Sequence, residues 1–247
     1  MANRDEILDY ADELLDLARF PDYGPMGMQV IGSDKVTKIA CGVSASRKLF
    51  ERAAEAGAQL VLVHHGLFWD RDSRVVDRRM KGRLQALFDA DLTLAAYHLA
   101  LDAHPEVGNN ALLARELGVD VDAVFREIGV GGSFAQPPTI EELTARVHAL
   151  LDREPLAFAY GPERIRRIAI VSGSSADTVG LAASEGYDAF LTGEAAEPTM
   201  MAARELGIHF VAAGHYATER LGVQALAARL AERFGLEWEF VELPNPV

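Results

Sequence analysis

The sequence predicts an α/β protein with mainly parallel sheets flanked by helices, and three observations predict it. Short apolar runs alternate along the 247 residues with amphipathic segments of helix length, as βαβ units do. One run, Leu60 to Val63, is apolar without a break and stops at His64, His65 and Gly66, the pattern of a strand covered on both faces. The first half of the chain also matches the second in two blocks that keep their order, so the βα unit is duplicated.

Element by element, residues 4 to 18 read as a helix with Ile7, Leu8, Ala11, Leu14, Leu15 and Ala18 along one face. Pro21 to Val30, PDYGPMGMQV, is rich in turn formers and reads as an ordered loop. A strand over Lys38 to Val43 leads to a helix opened by Ser44 or Ser46, and then to the strand that ends at the two histidines. A helix covers about 78 to 90, the strand LTLAAYH delivers His98, and a helix from about 108 to 117 ends at Gly118. GVGGSFAQPP, 129 to 138, reads as a junction between the copies. Thr139 and Glu142 then form a capping box at the head of TIEELTARVHALL. A helix over about 219 to 233 and the strand LEWEFVELP close the chain.

Residues 39 to 65 align without a gap on residues 168 to 194, with seven of twenty-seven positions identical. Residues 92 to 118 align in the same way on 209 to 235, with eight of twenty-seven identical. His98 falls on His215 and Asp102 on Glu219, so HLALD and HYATE share one pattern of imidazole, three residues and carboxylate. The copies part where the first has His64 and His65, because the second has Gly193 and Glu194.

A formal charge of -13 argues against nucleic-acid binding and against an anionic membrane surface, both of which call for basic patches. The single cysteine, Cys41, allows no intrachain disulfide, suits a reducing compartment and sits in an apolar strand as core. With no apolar run of about 20 residues and no signal-peptide core, the expected location is the cytoplasm.

Ligands of open α/β sheets gather beyond the carboxyl ends of the strands, where His64, His65, His98, Asp102, His215 and Glu219 are expected. A single histidine there is more often a hydrogen-bonded structural residue than a ligand, and the argument rests on the convergence of all six. Imidazole nitrogens and carboxylate oxygens suit zinc, iron, manganese, nickel or cobalt without choosing among them. Adjacent side chains on a strand point in different directions, so a double histidine suits two ions better than one. Carboxylates bridge such pairs, and two ions can polarise a substrate oxygen and hold a hydroxide for attack. Glu194, opposite His65 in the duplication, is a candidate base or hydrogen-bond partner. SASR (44 to 47) and SGSSAD (172 to 177) sit at strand-to-helix turns, where capping is favoured over phosphate binding. His104, His148 and His209 are taken as structural.

VHHGLFW, YHLALD and GHYATER, with GMQVIGSDKVTKIACGVSAS and AFLTGEAAE, resemble the Nif3-like family of dinuclear metal-centre hexameric proteins, the GTP cyclohydrolase type 2 homologues. The resemblance spans the whole chain. It implies two interlinked α/β domains and a homo-hexamer enclosing a cavity. His64, His65, Asp102, His215 and Glu219 are then the ligands of two divalent ions per chain, with Asp102 or Glu219 bridging. His98 is an additional ligand or a proton donor. The expected division is 1–127 plus 205–247 as the metal-binding domain and 128–204 as the second. The expected function is a metal-dependent hydrolase of a nucleotide or similar small molecule, with His98 and Glu194 carrying protons. The alternatives are a non-catalytic metal-holding scaffold for storage, delivery or partner docking, and a plain adaptor.

Overall fold

Strand pairing divides the chain into two units, and the computed structural model describes residues 1–247. The first unit is Met1–Leu101 with Gly222–Leu243, and the second is Asp102–Leu221 with Pro244–Val247.

The first unit holds a five-stranded sheet in the order Glu237–Phe240, Lys38–Ser44, Leu60–His65, Thr93–Ala96, Gly27–Val30. Its first three pairings are parallel and the last is antiparallel. Helices Arg47–Glu55 and Arg78–Asp89 supply Leu49, Phe50, Ala53 and Leu87 to a core with Ala40, Val61, Val63 and Leu94. The alternate strand residues Ile39, Cys41, Leu60 and Leu62 are equally buried, so both faces of this sheet are covered. The first helix spans Arg4–Leu14 and is shorter than its apolar stripe, because Asp16 adopts a left-handed backbone before a 3-10 turn at Leu17–Arg19.

The second unit holds a six-stranded sheet in the order Asp120–Phe125, Gly129–Ser133, Arg167–Ile170, Ala189–Thr192, His209–Ala212, Leu156–Phe158. Here only the two pairings made by Ala189–Thr192 are parallel; the outer three are antiparallel. Leu113 and Leu117 of helix Asn109–Leu117 and Leu143 and Val147 of helix Ile140–Leu151 pack against Ile168, Ile170, Leu191 and Val211. Ala169, Phe190 and Phe210 line the other face with Val179, Ala182 and Ala203. The capping box at Thr139 and Glu142 and the left-handed Gly118 at a helix end both form as read.

Three readings are corrected. Gly129–Ser133 is an inner strand and not a junction: a Cβ at Gly131 would overlap the Tyr187 hydroxyl and one at Gly132 the Asp120 carbonyl, so glycine lets neighbouring groups come close. The loop from Pro21 ends in a strand, Gly27–Val30, antiparallel to Thr93–Ala96. The division also falls elsewhere than 1–127 plus 205–247 and 128–204. Strands Asp120–Phe125 and His209–Ala212 are hydrogen-bonded into the second sheet. Helix Asn109–Leu117, which follows the first copy's strands, belongs to the second unit, while most of helix Arg220–Phe234, which follows the second copy's strands, belongs to the first. Each copy lends its last helix to the other unit, and Phe234 packs edge-on against Tyr10 of the first helix with ring centroids 5.8 Å apart. No helix is long and apolar enough to cross a membrane.

Candidate metal centre

In the first unit, His64 ends the buried strand Leu60–His65 and is itself fully buried. Its Nδ1 lies 2.9 Å from the Tyr97 carbonyl oxygen. A carbonyl only accepts, so the proton sits on Nδ1 and the lone pair on Nε2. His98 is held in a similar way. Its Nδ1 donates to Asp22 Oδ1 at 2.8 Å, while Asp22 also accepts the backbone N–H groups of Leu99 at 2.9 Å and Tyr23 at 2.7 Å. Burial would raise the Asp22 carboxyl, but the hydrogen bond and charge of His98 and the two backbone donors outweigh it and hold the pKa low. One nitrogen from each of His64, His65 and His98 lies within 4.8 Å of the other two. Trp69 meets His98 edge-on, with centroids 5.1 Å apart at 87°. Gln29 ties down the chain after the histidines: its Oε1 accepts the Leu67 N–H at 2.7 Å and its Nε2 donates to the Pro25 carbonyl at 2.7 Å. Gly66 is required there because a Cβ would overlap the Gln29 amide.

In the second unit, Gly214 (φ +96°) turns the chain out of strand His209–Ala212, and His215 begins the short helix His215–Thr218. His215 Nε2 lies 3.1 Å from Glu219 Oε1, and its Nδ1 makes a short bond to Glu194 Oε1. Two carboxylate acceptors leave the ring doubly protonated. Burial alone would lower the His215 pKa, but Glu219 and then Glu194 raise it to about 9. Glu219 is 2% exposed. Above it stands Gly173 (φ +68°), where a Cβ would overlap Glu219 Oε1 and come within 3.4 Å of His215 Nε2. The Gly173 loop is braced by threonines: its N–H donates to Thr218 Oγ1 at 3.1 Å, and its carbonyl accepts from Thr192 Oγ1 at 3.1 Å. Asp102 is 4% exposed, and its Oδ1 accepts from Asn109 Nδ2 at 2.8 Å and Ser172 Oγ at 2.9 Å. Asn110 completes this buried network by accepting the Ser172 N–H at 2.6 Å and donating to the Ile128 carbonyl at 2.8 Å.

The structure therefore brings His64, His65 and His98 together in one unit, and His215, Glu219 and Glu194 together in the other, where Asp102 is fixed by its own network. The donor chemistry fits a divalent cation: imidazole nitrogens with ordered outer hydrogen bonds, and a carboxylate that a glycine backbone approaches closely for want of a Cβ. A His/Glu cluster able to hold a metal ion is thus present.

Serine at the two strand-to-helix turns behaves differently from copy to copy. Ser46 caps its helix through the Leu49 N–H at 3.3 Å, whereas Ser172 turns its hydroxyl to Asp102 and Ser175 makes no side-chain cap. His104 accepts the N–H groups of Glu106 and Val107, exposed His148 pairs with Glu154, and His209 accepts from Gly161 and donates to the Pro162 carbonyl, all structural uses. Cys41 is buried, and burial pushes its thiol far above the usual range. The residues missed in the sequence are Asp22, Gln29 and Asn109, while Ser172 and Gly173 lie in SGSSAD, which reads as a capping turn and instead serves Asp102 and Glu219. Only Asp22 carried a signal, as an acidic residue in an otherwise apolar and turn-rich loop.

The family model of Duf34/NIF3 (NGG1p interacting factor 3) matches residues 2–246. A Pseudomonas aeruginosa protein named GTP cyclohydrolase 1 type 2 homolog is 46% identical over 245 residues, which cover 97% of each chain. The Escherichia coli K12 protein of the same name is 43% identical over 242 residues, or 98% of each. Among solved structures, protein ybgI, described as of unknown function, superposes with a TM-score of 0.96 at 42% identity over 99% of this chain and 100% of its own. TTHA1606 from Thermus thermophilus follows with a TM-score of 0.91 at 38% identity, over 99% of this chain and 100% of its own.

Proposed function

The chain belongs to the Duf34/NIF3 family, and from that premise we propose that it binds two divalent ions and uses them to hydrolyse a nucleotide or similar small molecule. The observation that carries this reading is the pair of donor clusters, three imidazoles in one unit and His215 with Glu219 in the other. In this reading His64, His65, Asp102, His215 and Glu219 would hold the two ions, and the protein would assemble as a homo-hexamer. Divalent ions in such a site supply Lewis acidity toward a substrate oxygen and make water easier to deprotonate.

The chain's own residues do the rest. Tyr97 fixes which His64 nitrogen is offered, and Asn109 with Ser172 fixes the orientation of Asp102. In the second unit Glu194, hydrogen-bonded to His215 Nδ1 and only partly covered, is the group to take and return a proton in this reading. In the first unit His98, backed by Asp22, has the corresponding role in this reading.

GTP is the first substrate to try, because the relatives' name points there. Metal-loaded protein incubated with GTP is expected to release formate. Turnover of a different substrate with none of GTP would remove the cyclohydrolase version and keep the hydrolase. A second reading, a non-catalytic metal-holding scaffold, is favoured by one observation: the Glu194 carboxylate is already engaged by His215 and serves there as an orienting acceptor. Glu194→Gln separates the two. Loss of turnover with metal content unchanged supports the enzyme; phenotypes that track metal content alone support the scaffold. Sedimentation of the untagged protein tests the hexamer.

A further inference from the structure

We infer that Arg153, with the segment Pro244–Val247 that it holds down, is the positioning element for His215 and Glu219. What it sets is the geometry of that pair toward a divalent ion, which rests on the metal-binding half of the proposed function and not on hydrolysis.

The need arises from the helix that carries the pair. His215–Thr218 is four residues long, and no side chain caps its start. The N–H groups of a first helical turn have no acceptor inside the helix and must find one elsewhere. The Tyr216 N–H finds the Val247 carbonyl, at 3.0 Å. In the first copy the aligned residue is Leu99, whose N–H donates to the Asp22 carboxylate at 2.9 Å. Both copies therefore cap the residue that follows the histidine, one with a side chain and the other with a backbone carbonyl from far along the chain. Such a carbonyl has to be held in place. The Arg153 guanidinium donates to the neighbouring Pro246 carbonyl, and the Val247 N–H donates to Asn245 Oδ1 at 3.0 Å.

Arg153 also shapes the chain just before His215. A Cβ at Gly214 would stand 2.7 Å from Arg153 Cδ and 2.8 Å from its Nε, so only glycine, at φ +96°, passes beneath the arginine stem. The Nε is buried with no hydrogen-bond partner, which makes the stem a packed part of this turn and not a loose surface chain. The far end of the pair is braced from the same corner. Arg220, next after Glu219, donates to the Leu151 carbonyl at 3.1 Å. Leu151 and Arg153 flank Asp152, whose left-handed backbone (φ +53°) ends helix Ile140–Leu151. One corner of the second unit thus grips the segment at Gly214 and at Arg220. Between these grips His215 Nε2 and Glu219 Oε1 stand 3.1 Å apart.

The test uses full-length untagged protein carrying Arg153→Met, which keeps the stem and removes the guanidinium. It is titrated with cobalt(II) and followed by visible absorption and equilibrium affinity. One of two cobalt ions is expected to bind about tenfold more weakly, with a changed spectrum, while the other is unmoved. Arg153→Lys, which can still donate to the Pro246 carbonyl, is expected to restore most of the affinity. Should Arg153→Met not fold, Asn245→Ala, which releases the Val247 N–H, is read in its place and is expected to weaken the same ion by a smaller factor. Cobalt binding unmoved by the variant overturns the positioning role. Equal weakening of both ions also overturns it, because that is the mark of a general loss of stability. An unaltered chain that takes up no cobalt sinks the metal reading, which is a different failure. A crystal structure of the metal-free variant then decides the positioning: a shifted His215–Glu219 pair supports it, and an unchanged pair overturns it.

Discussion

The strand-end chemistry of the first unit and that of the second grow from the same duplicated frame and come out with different donor sets. His98 and His215 occupy equivalent places, each just past a strand of its own sheet and at the start of a short helix, with Asp102 or Glu219 four residues on. Where the first copy puts His64 and His65 at the end of its central strand, the second puts Gly193 and Glu194. The consequence is physical. The first unit gathers three imidazole nitrogens in one place. One imidazole between two carboxylates is driven to the charged form, with a pKa of about 9. The frame places the groups and two substitutions set the donor types.

The largest break in the comparison should come at Gly173, which has left-handed backbone and no room for a Cβ beside Glu219. Gly173→Ala is expected to empty the second cluster of metal and cost about 1–3 kcal/mol of stability, checked by metal analysis and thermal melting. Gly173 makes none of the contacts of the first cluster, whose uptake should survive.

A second difference is in pH response. Binding a cation at His215 releases the Nε2 proton shared with Glu219, so affinity of the second cluster should rise about tenfold per pH unit from 7 to about 9 and then level off. Without metal the sign reverses. A raised histidine pKa means that the ion pairs add stability fully below about 6.5, the ordinary value, and lose it as pH climbs through about 9. Isothermal titration across this range, and melts of the metal-free chain, check the two signs. An affinity flat in pH at this cluster would erase the contrast between the two units.

Smaller again is Ser172→Ala. It removes one of two donors to Asp102 Oδ1 and is expected to weaken metal by about tenfold and stability by about 1 kcal/mol. Smallest is Cys41→Val. Cys41 aligns with Ile170 of the second copy, both are fully buried, and burial keeps the thiol protonated. The substitution should cost less than about 1.5 kcal/mol and leave metal content unchanged, because this position belongs to the frame.

Much of this was legible in the chain. The apolar runs, Gly118, the capping box at Thr139 and the two histidine–carboxylate patterns rest on contacts within a few residues, and periodicity and caps report those directly. The strand Gly129–Ser133 was not legible, because glycines that read as a junction were selected by the ring of Tyr187 more than 50 residues away in sequence. Nor was Asp22, which meets His98 across 76 residues.

By itself, then, the sequence determined that a βα unit is repeated, where its strands stop and which donor atoms stand at their ends, since all of these follow from local pattern. Only the tertiary structure decided that helices Asn109–Leu117 and Arg220–Phe234 change units and that a loop carboxylate holds His98. An apolar stripe states that a face must be buried but is silent on its partner, and partner choice is settled by packing between segments far apart in the chain.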